Sequence, residues 1–325
     1  MTILNVGTLF AFGAIVVWCF GPLQNPPAQQ NHAAEAHAPE AHPPARTGAV
    51  QIQMKNVNFR LAPDIVLEVR SLRGQLKRSK AETPPTFDDS SSFIVEVDSA
   101  EVALTPESLT ALMNSYTLAY AGSPIKNLVI TIQGNRIIQK GVLHKGMDLP
   151  FEIEGSLSAT EDGKVRLHAD KIKAAHLPVK GLLHLLGEDL SKLVNQNTEH
   201  GMNIVGDDII LNPRWLTPAP HLEGNVVRAG IIGGKIVQVF DSGHPTPPLV
   251  PPFSSAAYIY HRGGVLVFGK LTMSDADLEI VGDRPGMFDF FQREYQKQLV
   301  PGYSKNTAAG ALVVHMVDYS RVHHQ

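Results

Sequence analysis

Residues 127–143 read NLVITIQGNRIIQKGVL and residues 149–159 read LPFEIEGSLSA. Leu128, Ile130 and Ile132 recur at every second position, the chain turns at Gly134-Asn135, and Ile137 and Ile138 carry it back, which is the pattern of a β-hairpin. In the following segment Phe151, Ile153 and Leu157 alternate with Glu152, Glu154 and Ser156. After Asp162-Gly163, Val165 and Leu167 stand opposite Arg166 and His168. One face of such a sheet is apolar and the other wet, as in an antiparallel sheet packed on one side only.

Working outward, the same period of two recurs in both directions. Val50, Ile52 and Met54 alternate with polar residues, and Val57, Phe59 and Leu61 resume one position out of phase, the mark of a bulge or bend. Ile65, Leu67 and Val69, then Phe93, Val95 and Val97, extend the pattern around a loop over residues 77–92 that contains Pro84-Pro85. Thr105-Pro106-Glu107 combines an N-cap, a proline at the first helical position and an acid in the first turn. Leu109, Leu112, Met113, Tyr116 and Tyr120 follow on one helical face. A second helix is expected from Pro178 through Leu182, Leu186, Leu190 and Leu193, and a third over residues 285–299. Strand patterns return at 202–211, at 225–240 around Gly233-Gly234, at 258–280 around Gly263-Gly264, and at 312–317. Strands joined by hairpins, with few helices, predict an α+β class built on an antiparallel sheet.

The chain has 325 residues, 28 Lys and Arg against 31 Asp and Glu, a net charge of −3 and a hydrophobic share of 43%. That composition excludes a disordered chain and a multi-span membrane protein. It offers no broad basic face, so nucleic-acid binding is set aside. The single cysteine, Cys19, leaves no intramolecular disulfide and no Cys-based zinc or redox site. Residues 3–20 are apolar except for Asn5 and Thr8, close to the ~20 that a helix needs to cross a bilayer. The expectation is a single transmembrane helix over residues 1–20, uncleaved because no small-x-small site follows it, with a removed signal peptide as the alternative. Trp18 stands where a lipobox before Cys19 would need a small residue. A two-residue tail is no domain, so the globular part is expected outside the cytoplasm, on the periplasmic side of a cell membrane. Residues 21–48, rich in Pro, Ala and His, read as a disordered linker, and its evenly spaced His32, His37 and His42 as solvated low complexity rather than a metal tract. Residues 49–325 are the β-rich body.

Motifs that carry chemistry are scarce. Residues 229–236, AGIIGGKI, lack the spacing of a P-loop and the Ser or Thr after its lysine, and read as a hairpin turn. No nucleophile elbow and no His-Glu-x-x-His occurs. Asp275, Asp277 and Glu279 alternate along one strand and read as a solvated face rather than a calcium site. The run Met287-Phe288-Asp289-Phe290-Phe291 is either core or, through Phe288, Phe290 and Phe291, a membrane-surface contact. No catalytic residue, metal or cofactor is expected, and an envelope hydrolase is the minor alternative.

In order and texture, residues 105–240 resemble the tubular lipid-binding superfamily, the fold of bactericidal/permeability-increasing-like and SMP domains and of bacterial cell-envelope phospholipid-binding proteins. The resemblance rests on TPESLTALMNSYTLAY (105–120), NLVITIQGNRIIQKGVL, LPFEIEGSLSA, LPVKGLLHLLGEDLSKLV (177–194) and NVVRAGIIGGKIVQVF (225–240). It implies a long curved antiparallel sheet wrapped around one or two amphipathic helices, enclosing a groove for acyl chains, and a non-catalytic role in binding or transferring lipid, phospholipid above all. The groove residues it implies are Leu109, Leu112, Met113 and Tyr116 on the first helix, Leu182, Leu186 and Leu190 on the second, and Leu128, Ile130 and Ile132 on a facing strand. The competing expectation is a scaffold module whose core is closed and fully packed.

Overall fold

The alternation that begins at Val50 sets the first layer. In the computed structural model, which describes residues 48–322 except 145, 175–200, 245 and 254, β1 (Val50–Ala62) and β2 (Ile65–Arg78) form a hairpin around Pro63-Asp64. The break in apolar phase has a local cause. Asn56 takes a φ of +52°, a conformation that Asn tolerates better than bulky residues, and its amide donates to the Ala256 carbonyl at 2.9 Å. The kink exchanges the inward face, so Val50, Ile52 and Met54 before it and Val57, Phe59 and Leu61 after it are all buried.

β3 (Phe93–Leu104) completes a meander with β2. A methyl at Gly74 would lie 2.1 Å from the Glu96 carbonyl oxygen, where the register shifts between Arg73 and Gly74; only glycine lets the backbones meet so closely. α1 (Pro106–Leu112) follows, with the Thr105 hydroxyl accepting the Ser108 N–H at 3.2 Å. A wider turn over Met113–Thr117 ends it.

The chain then builds a second layer from β4 (Ile125–Gln133), β5 (Arg136–His144), β6 (Asp148–Ala159), β7 (Val165–Ala174), β8 (Met202–Val205) and β9 (Asp208–Leu211). These pair antiparallel in the order β4-β5-β6-β7-β9-β8. After α2 (Pro213–Leu216) and β10 (His221–Glu223), the hairpin β11 (Val226–Ile232) and β12 (Lys235–Asp241) returns to the first layer beside β3.

The remaining elements are β13 (Tyr258–Arg262), the small ribbon β14 (Leu266–Phe268) and β15 (Leu271–Met273), β16 (Asp277–Gly282), β17 (Phe288–Phe291), α3 (Tyr295–Leu299), β18 (Tyr303–Asn306), β19 (Leu312–Met316) and α4 (Tyr319–Val322). They extend the first layer to an eleven-stranded sheet whose main path is β11-β12-β3-β2-β1-β13-β16-β19-β18. The two sheets turn apolar faces toward a shared interior, where Leu109, Leu157 and Leu211 pack against the core of both.

This architecture is mostly β and corrects the α+β expectation. α1, seven residues long, is the longest described α-helix. The stripe from Leu109 to Tyr120 does not continue as a helical face, because the backbone widens at Met113–Thr117 and leaves Tyr116 40% exposed. Among the described residues, therefore, no long helix lies within a sheet for that sheet to wrap. Nor is the large sheet purely antiparallel: β10 runs parallel to β3, β17 to β1 and β19 to β16.

The third expected helix is corrected over its first part, since only Gln292–Glu294 and α3 are helical. Residues 288–291 form β17, and all four side chains are buried. Phe290 packs on Phe59 at 5.9 Å and Phe291 on Tyr319 at 5.0 Å. A strand covered on both faces loses its alternation. Membrane contact through Phe288, Phe290 and Phe291 is overturned by the same fact, since these rings are 1%, 0% and 3% exposed. No described helix is long and apolar enough to cross a membrane. The expected membrane segment at 1–20, the linker, and the second helix with Leu182, Leu186 and Leu190 lie outside the described residues.

Candidate functional site

The six-stranded sheet begins at an edge, and an exposed edge invites unwanted pairing. Here α1 and the turn after it occupy that edge with side chains. The Leu128 N–H donates to Asn114 Oδ1 at 3.1 Å while Asn114 Nδ2 donates to the Leu128 carbonyl at 2.6 Å. The Ile130 N–H donates to Thr110 Oγ1 at 3.0 Å. On the other side the Val66 N–H of β2 donates to Ser108 Oγ at 3.3 Å, so α1 bridges the two sheets. The Thr117 hydroxyl, donating to the Leu216 carbonyl at 3.1 Å, ties the wide turn to α2.

Beneath this bridge the sheets do not close on each other. A partly enclosed cleft runs between them, with about 1160 Å³ of unfilled space counting its open boundary. Little of that space is wide enough for a water molecule, so the cleft is narrow. Leu67, Val102 and Phe240 wall it from the large sheet, and Ile137, Phe151 and Ile153 from the small one. Among the described residues no charged side chain lines it.

Five of the residues expected at a groove meet here: Leu109, Leu112, Met113, Leu128 and Ile130. Tyr116 points away from it, and Ile132, half-buried on the same strand as Ile130, lies beyond its end. No family model, curated protein or solved structure matches this chain. The cleft is therefore interpreted from its own chemistry.

The polar lining residues among those described, Gln139, Gln238 and Thr217, escaped the sequence reading. For the two glutamines the signal was present in the strands. Gln139 falls in the apolar phase of Ile137 and Leu143, and Gln238 in that of Ile236 and Phe240. A polar residue in the apolar phase points inward.

The carboxylate row on β16 is not the solvated face expected of it. Glu279 is fully buried, and Asp277 pairs with Arg262 while accepting the Tyr260 hydroxyl at 2.9 Å. The Phe253 N–H donates to Glu279 Oε2 at 2.6 Å, whereas Oε1 has no hydrogen-bond partner. Burial is the main cause that pushes the Glu279 carboxyl up to about 7; the Phe253 N–H opposes it and Asp277 adds to it. His261, buried on β13, is pushed down to about 3 by desolvation and stays neutral. No group of three or more His, Cys, Asp or Glu among the described residues is arranged to hold a metal ion.

Proposed function

We propose that this protein is a non-catalytic lipid-binding or lipid-transfer protein of the cell envelope, held at a membrane by its apolar N-terminal segment and working outside the cytoplasm. The observation that carries the reading is the uncharged cleft between two sheets, bridged by α1 and left partly unfilled. Protein interiors are normally packed like organic crystals, so unfilled space in an apolar core calls for an occupant.

The energetics fit such a role. A two-chain lipid exposes roughly thirty methylenes, each worth ~0.8 kcal/mol when removed from water. Free passage through water is prohibitive on that scale. Exchange between a bilayer and an apolar cleft replaces one hydrocarbon environment by another, so uptake and release both stay reversible. The narrowness of the cleft favours entry of chains one at a time, with the sheets parting around them.

The same narrowness supports the second reading, a scaffold whose interior is merely loosely packed. Mass spectrometry of organic extracts from purified residues 44–325, which form one compact unit, separates the two. Lipid in near-stoichiometric amount, together with transfer of a fluorescent lipid between vesicles, is the expected result. An extract free of lipid and a vesicle assay without transfer would leave only the scaffold.

A further inference from the structure

The cleft is apolar but not featureless, and among the described residues three polar side chains from different parts of the fold line it. Gln139 lies on β5 between Ile130 of β4 and Ile153 of β6, both of which line the cleft. Gln238 lies on β12 of the opposite sheet, between Ala229 and Val102. Thr217 follows α2; the residue is 7% exposed, and its Oγ1 is buried without a hydrogen-bond partner. Among the described residues neither glutamine amide makes a side-chain hydrogen bond either.

Buried polar groups are nearly always satisfied, because leaving one unpaired forfeits the water it gave up. Strand alternation would be served equally well by Leu or Val at 139 and 238. The buried Thr217 hydroxyl without a partner is therefore costly in the empty protein, and the half-buried Gln139 and Gln238 bring two further amides to the same cleft. They are accounted for if an occupant supplies partners.

What they can pair with follows from their chemistry. An amide offers both donors and an acceptor, and a hydroxyl offers one of each kind. Their natural complements are hydroxyl, ester, amide or ketone groups. Among the described residues no Lys or Arg lines the cleft to neutralise a phosphate or carboxylate, and an ion without a counter-charge is not stable in such a medium. We infer that Gln139, Gln238 and Thr217 recognise a neutral hydrogen-bonding group carried on an aliphatic ligand, and that any charged headgroup remains outside the cleft. This rests on the lipid-binding reading and narrows it to the class of lipid that enters fully.

The test uses the full chain in membrane discs with two photoreactive probes of equal chain length, a diazirine alkane and its monoacylglycerol analogue. Crosslinks to cleft residues are mapped by mass spectrometry. In the wild type both probes label the cleft, the monoacylglycerol more strongly. In Gln139→Leu/Gln238→Leu, and in the milder Thr217→Val, labelling by the monoacylglycerol falls about tenfold relative to the alkane. The ratio between probes corrects for any loss of folded protein. Equal ratios in wild type and variants, with both probes still labelling the cleft, overturn this inference and leave lipid binding intact. Absence of cleft labelling by either probe in the wild type overturns both.

Discussion

Replacing Glu279 by Gln is expected to make the protein more stable at neutral and alkaline pH. The carboxyl is fully buried on β16, one oxygen accepts the Phe253 N–H at 2.6 Å, and the other has no partner. Its pKa rises from 4.5 to about 7 in the fold. Because the folded value lies above the unfolded one, the native state prefers the protonated acid. Its contribution to stability is complete below about pH 4.5, declines between about 4.5 and 7, and is gone above that. Some 2.5 pH units at ~1.36 kcal/mol each give roughly 3 kcal/mol lost on ionisation. Gln preserves the shape and the acceptor for Phe253 without the charge. Urea unfolding of residues 44–325, followed by circular dichroism from pH 4 to 8.5, should show wild type and variant diverging to about 3 kcal/mol by pH 8 and converging near pH 4. His261, whose depressed pKa costs stability as pH falls from about 6.5 toward 3, acts in both proteins and cancels in the difference. Parallel stability curves, or a variant weaker at pH 8, would refute the reasoning, for they would mean that the ionised carboxylate is compensated inside the protein.

Filling the cleft separates open space from packed core: Ile153→Phe should change stability by less than about 1 kcal/mol yet suppress lipid uptake, whereas Leu278→Phe, at a fully buried site outside the cleft, should cost about 1–3 kcal/mol. Equal costs in chemical denaturation would mean that the space near Ile153 is already filled. Thr105→Ala removes the acceptor for the Ser108 N–H and should lower stability by about 1 kcal/mol, with Thr105→Ser restoring most of it in the same assay. Arg60 holds Asp289 through bonds of 2.5 and 3.0 Å, and Ser320 N–H donates to the same carboxylate. Asp289→Ala should therefore cost about 3–5 kcal/mol by stranding the guanidinium, and adding Arg60→Met should recover part of the loss.

What could be read from the chain, and what could not, follows from how many faces of a strand are covered. β4 to β7 announced themselves because one face meets the cleft and the other meets water, where Lys140, Glu152 and Lys173 pair across strands. β17 was mistaken for helix because Tyr319 of α4 packs on Phe291 and Phe87 packs on Phe290, so that both faces are covered and the period is erased. Glu279 was mistaken for a solvated residue because its cover comes from a distant proline-rich segment. That segment is fixed to the sheet by Gln53, which accepts the Leu249 N–H at 2.8 Å and donates to its carbonyl at 3.2 Å.

The cleft itself was the least legible feature. A row of leucines and isoleucines is the same row whether the opposite wall touches it or stands off. The separation is set by backbone geometry far apart in sequence. At Gly155 a methyl would lie 2.3 Å from the His168 carbonyl oxygen, beside the register shift that bends β6 against β7. At Gly74 a similar close approach bends β2 against β3. Curvature introduced at such bulges moves facing sheets together or apart by more than one methylene. Apolar residues alone therefore do not distinguish a cleft from a core. The glutamines do, because Gln139 and Gln238, half-buried in the apolar phase of their strands, bring amides to a lining that a sealed core fills with apolar side chains.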